Sequence, residues 1–214
     1  MFISKVRFLK PAVKKLLDRP ENYPASVKNQ MWDLFPRDPN ADRDFIFRFE
    51  EGSNPPIMTV ISEREPQINP SLYDVQTKPY DPQIEKGMSL VIKCVANTVE
   101  KYKGQPHGVI TNMKKQAQRE GLSARELPSR DVIAQEAGKN WLEGQGDRVG
   151  FDVNSFVALN HGVYKDFGYG TLEWIDFKAT ITVKDDPKEV KKILMKGLGK
   201  RKCFGFGLVL ARRA

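Results

Sequence analysis

Near the end of the chain, Gly197, Gly199, Gly205 and Gly207 frame three consecutive cations, Lys200, Arg201 and Lys202. Glycine reaches positive φ and carries no side chain, so backbone N–H groups in such a loop can approach an anion closely. Three cations beside it point to a phosphate backbone. The spacing argues against the common nucleotide loops. A P-loop follows a strand, opens a helix and ends in Gly-Lys-Ser/Thr. Here a helix-like run at 186–196 leads in, a strand-like run at 206–211 leads out, and no Ser or Thr follows the lysine. A dinucleotide fingerprint also needs the strand before the helix. The same residues describe a glycine-rich turn at a helix C-terminus, with Lys and Arg complementing the helix dipole. ATP and NAD fit neither reading.

The rest of the composition narrows the partner. The chain has 214 residues and a formal net charge of +8. That length suits one large or two small domains, and that charge favours nucleic acid or another anionic surface. Hydrophobic residues make up 40%, enough for a core. No apolar run approaches the ~20 residues of a membrane span, so no membrane partner is expected. Residues 1–9 alternate like a strand and lack the apolar stretch of a signal peptide. Cys94 and Cys203, each in an apolar strand-like segment, read as buried thiols in a reducing compartment, which implies a cytoplasmic protein. With only His107 and His161 beside them, no Cys/His metal constellation is available, and neither a metal nor another cofactor is expected.

The loop must be positioned by an ordered scaffold. Residues 2–9 predict a strand, with Phe2, Val6 and Phe8 alternating and Ile3 out of phase. Residues 25–35 predict a helix through Val27, Met31, Leu34 and Phe35, stopped by Pro36 and Pro39. Strands follow at 44–50 (Phe45, Phe47 and Phe49 most simply a core face), 57–63 and 72–77. This β-α-β-β-(short link)-β order resembles a ferredoxin-like unit with its second helix reduced. Residues 79–87, with Pro79, Pro82 and Gly87, read as a linker. A second unit then begins with a strand at 88–98. Next comes a polar segment at 100–130 carrying Lys101, Lys103, Lys114, Lys115, Arg119, Arg125 and Arg130. It reads as an irregular insertion, facing nucleic acid or merely solvating a surface. A helix at 129–143 has Ser129 as its N-cap and Asp131 in its first turn. Strands at 152–159 and 172–183 and the helix at 186–196, with Pro187 in its first turn, lead to the glycine loop and final strand. The expected class is α+β: two tandem ferredoxin-like (RRM-like) β-α-β-β-α-β domains, at 1–84 and 88–214, the second carrying the basic insertion 100–130 and the loop 197–207.

Read together, these segments resemble the CRISPR-associated repeat-RNA endoribonucleases of the CasE type, the hairpin-binding subunit of Cascade-like complexes. The likeness lies in four places: the opening Met1-Phe-Ile-Ser-Lys-Val; the run from Gln30 to Arg48, similar to the family's Trp-x-Leu-Phe-Pro … Arg-Asp-Phe-Leu pattern; Val91-Ile-Lys-Cys-Val-Ala-Asn97; and the glycine loop, Gly197-x-Gly199-x-x-Lys202-x-x-Gly205-x-Gly207-Leu. The resemblance implies two ferredoxin-like domains and binding of the CRISPR repeat stem-loop. It implies that the second domain's basic residues contact the stem and the first domain's helix supplies the cutting residues. Cleavage would fall at the 3′ base of the hairpin without a metal. The protein would keep the processed RNA beside other Cascade-like subunits, a backbone subunit above all. RNA-binding residues on this reading are Lys114, Lys115, Arg119, Arg125, Arg130, Lys200, Arg201 and Lys202, with Gly199, Gly205 and Gly207 shaping the loop. A generic pair of RNA-recognition domains is disfavoured, since neither half shows the Lys/Arg-Gly-Phe/Tyr-Gly/Ala-Phe-Val-x-Phe/Tyr motif.

The active-site pattern departs from the family's. Metal-free cleavage uses the 2′-hydroxyl as nucleophile and needs a proton acceptor or positioner, a donor for the leaving 5′-oxygen, and cations on the phosphate. The family usually shows Tyr-x-x-His, with the His four residues before the helix Trp. Here Tyr23-Pro-Ala-Ser26 keeps the Tyr but has Ser26 for the His, and counting back from Trp32 gives Lys28. Three readings stay open: Lys28 acting mainly by charge with Tyr23 as hydroxyl partner, which is the favoured one; an RNA-binding subunit that does not cut; or a histidine, His107 or His161, brought in from the second domain. His161 is expected at a strand end, in a structural or surface role.

Overall fold

The computed structural model describes residues 1–17, 23–35, 43–50, 52–102, 105–123, 125–166, 170–184 and 186–214. Pro36, Pro39 and Lys103 lie outside the described residues.

In the first half, β1 (Phe2–Phe8) leads through α1 (Lys10–Leu17) and α2 (Tyr23–Leu34) to β2 (Phe45–Glu50), β3 (Ile57–Ser62) and β4 (Tyr73–Pro79). All pairings are antiparallel, in the sheet order β2-β3-β1-β4. The period-two pattern of β1 does what alternation requires: Ser4, Val6 and Phe8 are buried while Lys5 and Arg7 are exposed. Val27, Met31, Leu34 and Phe35 lie in the same core as Phe45, Phe47, Met58 and Tyr73. No helix joins β3 to β4, as the reduced second helix predicts. Helix α1 is absent from the sequence reading. It is short, and its apolar face is little more than Ala12 and Leu16 among three lysines.

The second half repeats the topology with more material. Its strands are β5 (Ser89–Asn97), β8 (Phe151–Asp166), β9 (Gly170–Val183) and β10 (Val209–Arg213), in the sheet order β10-β5-β9-β8, again antiparallel. Between β5 and β8 lie a small hairpin, β6 (Val99–Tyr102) and β7 (Gln105–Gly108), then α3 (Val109–Arg119) and α4 (Arg130–Val149). Helix α5 (Pro187–Lys196) joins β9 to the glycine loop. Both halves are ferredoxin-like, and the expected α+β class holds.

Several expectations need correction. The segment 100–130 is not irregular: a hairpin and α3 occupy most of it. Val109 and Ile110 are buried and Met113 packs on the core, an anchor too short to register as a helical period. Helix α4 runs past Glu143, because Gly144 and Gly146 read locally as a stop. Gly146 is there for close packing: a Cβ would come 2.3 Å from the Phe151 carbonyl oxygen. The helix ends at Gly150, in the left-handed region at φ 93°. Ser129 does cap α4, accepting from the Val132 N–H at 3.4 Å. Cys203 sits in a 3-10 turn at Lys202–Phe204 rather than a strand. His161 lies within β8, not at its end. No described helix is long and apolar enough to cross a membrane.

The halves are joined by packing as well as by the chain. Ile46 and Ile61 of the first sheet meet Leu208 of the second half, with Met1, Ile3, Tyr80 and Leu210 around them. This explains why Ile3 breaks the alternation of β1: it belongs to the junction, not the helix-covered core. Beside this cluster lies Arg48, whose side chain is 3% exposed. Its Nε donates to Glu50 at 2.7 Å and its Nη2 to Asp176 of β9 at 3.2 Å.

Candidate nucleic-acid interface

The glycine loop is built against both halves. Gly197, Gly199, Gly205 and Gly207 all have positive φ, between 77° and 87°. A Cβ on Gly205 would come 2.9 Å from the Phe47 ring of the first half, and one on Gly199 would come 3.2 Å from the Trp141 indole of the second. At Gly207 the added carbon would meet the Leu198 carbonyl oxygen at 2.2 Å. The loop's N–H groups are largely engaged within the protein. Leu198 donates to the Gly207 carbonyl at 2.8 Å, Gly207 to Val95 at 2.7 Å, Phe204 to Arg201 at 2.9 Å and Gly205 to Lys202 at 3.3 Å. The glycines therefore fold and seat the turn, and contact with an anion falls to the cationic side chains.

Those cations diverge. Arg201 takes the left-handed conformation, φ 58°, unusual for a residue with a side chain. On one side of this reversal Lys200 lines a cavity of about 630 Å³ with Trp141, Arg148 and Glu100. On the other, Lys202 lines a groove between the halves with Arg43, Phe45 and Lys196. The Lys202 ammonium is held below the ordinary lysine range, first by burial and then by repulsion from Arg43. Beneath the loop, burial pushes the Cys94 thiol up to about 12, an inert structural thiol.

The turn rests on α2. Lys28 is half-buried, and its Nζ lies 5.3 Å from the centre of the Phe204 ring. Ser26 is half-buried too, but helical geometry turns residues two apart to different sides. Tyr23 opens α2, and its side chain lies outside the described part of the structure. The loop thus meets Lys28. His107 sits on β7 opposite Glu100. His161 bonds Asp131 of α4 at 2.8 Å, the structural role expected for it. Among the described residues no group of His, Cys, Asp and Glu is arranged to hold a metal ion.

The remaining basic residues form a second, outer group. Lys114, Lys115 and Arg119 project from α3, Arg125 follows it, and Arg130 opens α4; all are exposed. A cation at a helix N-terminus opposes the dipole, so Arg130 does not serve α4. Sequence reading missed what holds α3. The buried carboxylate of Glu173, on β9, accepts from the Ile110 N–H at 2.8 Å and the Thr111 hydroxyl at 2.6 Å. Gly108 leaves room for it, since a Cβ there would come 2.2 Å from Glu173 Oε1. The Glu173 carbonyl accepts from Asn97 Nδ2 at 2.7 Å, and the Asn97 backbone bridges to Lys200. One residue at the end of β5 thus links the seat of α3 to the glycine loop. A carboxylate capping a helix from a distant strand leaves no local signature. Arg48 was missed for the same reason, its partner lying far along the chain.

Comparison with known proteins agrees with this architecture. The family described as CRISPR associated protein matches residues 1–213. By sequence, the chain is 24% identical over 184 residues to the CRISPR system Cascade subunit CasE of Escherichia coli (strain K12), covering 84% of this chain and 86% of that protein. By structure, Thermus thermophilus Cse3 bound to an RNA representing a pre-cleavage complex superposes with a TM-score of 0.74 at 18% identity, over 99% of this chain and 98% of that one. Cas6e from E. coli str. K-12 gives 0.65 at 18% identity over 100% of both chains. These structures share the double ferredoxin-like fold. Because the family match runs nearly end to end, the chain belongs to the CRISPR-associated protein family.

Proposed function

We propose that this protein is a CRISPR repeat-RNA endoribonuclease. It binds the stem-loop of the precursor, cuts at the 3′ base of the hairpin without a metal, and stays on the product as a subunit of a Cascade-like complex in the cytoplasm. The observation that carries the reading is the seating of the glycine loop on α2, which brings Lys28 against the turn that holds Lys202. A strand of RNA crossing this junction has cations on both banks. The relatives support the reading by what they are: one is a Cascade subunit and another was captured with RNA before cleavage.

In the reaction the 2′-hydroxyl gives its proton to solvent and attacks the adjacent phosphorus, the bond to the 5′-oxygen breaks and that oxygen takes a proton from solvent, and the products are a 2′,3′-cyclic phosphate and a 5′-hydroxyl. Lys28 stabilises the charge that builds on the phosphate. Tyr23 and Ser26 of the same helix are the hydroxyl groups assigned to orient the nucleophile. Residues 1–84 supply this helix and residues 88–214 the basic surface that holds the stem, through Lys114, Lys115, Arg119, Arg125 and Arg130. The lack of a histidine at the family's position on α2 favours one second reading, a subunit that holds the hairpin without cutting it. Incubating the protein with repeat RNA in excess EDTA decides between them. Cleavage at one position, abolished by a 2′-deoxy substitution there, is the expected result; protected, intact RNA would leave the binding subunit.

A further inference from the structure

We propose that Arg43 and Lys202 form a phosphate-binding clamp across the two halves of the molecule, on the far side of the turn from Lys200. Both line one groove of about 250 Å³, closed by Met1, Ile46 and Ile61. Each is held in place. The Arg43 guanidinium lies 6.0 Å from the centre of the Phe45 ring, within range of a cation–π contact. The Lys202 stem runs over the bare backbone of Gly207, where even a Cβ would come 3.4 Å from its Cγ. The left-handed Arg201 is what turns Lys202 toward the first half.

The carboxylates of the groove are engaged with other cations: Asp44 with Arg64 at 2.7 Å and Glu63 with Lys196 at 3.8 Å. Neither Arg43 nor Lys202 has an anionic partner among the described residues. Burial of Lys202 and, after it, repulsion from Arg43 penalise its charge and hold its pKa below the ordinary lysine range. An anion between them removes the penalty. A guanidinium and an ammonium lining one groove suit the spread of oxygens on a phosphate. The ligand is thus a phosphate group, from an RNA backbone or free in solution. The backbone phosphate is the one implied here, and that part rests on the repeat-RNA reading.

The test follows the Lys202 side-chain resonances by NMR in the full-length protein, assigned through Lys202→Arg, as pH is raised with and without a repeat stem-loop. Saturating RNA should raise the Lys202 pKa by about a unit, a tenfold change in proton affinity. In the free protein Arg43→Gln should raise it as well, by removing the repulsion. Arg43→Gln and Lys202→Gln should each weaken hairpin binding about tenfold and flatten its salt dependence. Inorganic phosphate separates the sources. A response to the hairpin alone assigns an RNA phosphodiester, and a response to both assigns a general phosphate site. If the hairpin binds but Lys202 does not respond and both variants keep the parental affinity and salt slope, the clamp is wrong while the RNA reading stands. If no hairpin binds, that reading fails. Inorganic phosphate then decides the clamp: a Lys202 response lost in Arg43→Gln sustains it, and no response overturns it.

Discussion

The glycine loop and helix α3 each carry three cations, yet they hold them in opposite ways. On the loop, positive-φ glycines lie flush against Phe47 and Trp141, the amides are largely bonded inward, and Lys202 is half-buried. On α3, Lys114, Lys115 and Arg119 stand exposed on a helix fixed mainly at its first turn by Glu173. Solvated cations on flexible stems attract a polyanion with little regard to its shape. Cations on a turn packed into a domain junction can select where one phosphate sits. On the proposed function the same residue types divide the work: α3 would draw the RNA in, and the loop would set the strand over α2.

This division can be broken from either side. The largest effect should come from Gly207→Ala, which puts a methyl group into the Leu198 carbonyl at a φ of 85°. It should cost about 3 kcal/mol in denaturant unfolding and abolish specific hairpin binding, while α3 keeps its amide protection. Next, Lys28→Ala should slow single-turnover cleavage about 100-fold at saturating RNA and leave affinity nearly unchanged. Equal rates in variant and parent would remove Lys28 from the mechanism. Gly108→Ala strikes the other side by evicting Glu173 from the α3 N-terminus. It should cost about 2 kcal/mol and speed hydrogen exchange at Ile110, with the loop undisturbed. The smallest effect belongs to Lys114→Gln with Lys115→Gln. The slope of log affinity against log salt should fall by about two, with stability and the saturated cleavage rate unchanged. A drop in the saturated rate would show that α3 positions the strand as well as attracting it.

The sequence revealed local order and hid what depends on distant partners. The alternation of β1, the apolar face of α2 and the Ser129 and Pro187 helix starts were all legible, because each is set by neighbours a few residues away. The loop was legible as a place that needs glycine. Its reason was not: the glycines accommodate Phe47 and Trp141, which only the folded chain brings there. Helix α3 was hidden because its charges outnumber its anchors and its cap comes from β9. Within the candidate site, Lys28 could be found by counting from Trp32. That it faces Phe204 follows from the seating of the turn on α2.

The claim that the scissile strand crosses the junction of α2 and the turn can be tested by photocrosslinking. A repeat stem-loop is made uncleavable by a 2′-deoxy sugar at the cut site, carries 4-thiouridine next to it, and is irradiated in complex with the full-length protein. Peptide mapping should place the adduct within residues 23–35 or 200–206. Adducts confined to α3 or to the outer surface of α4 would contradict this account.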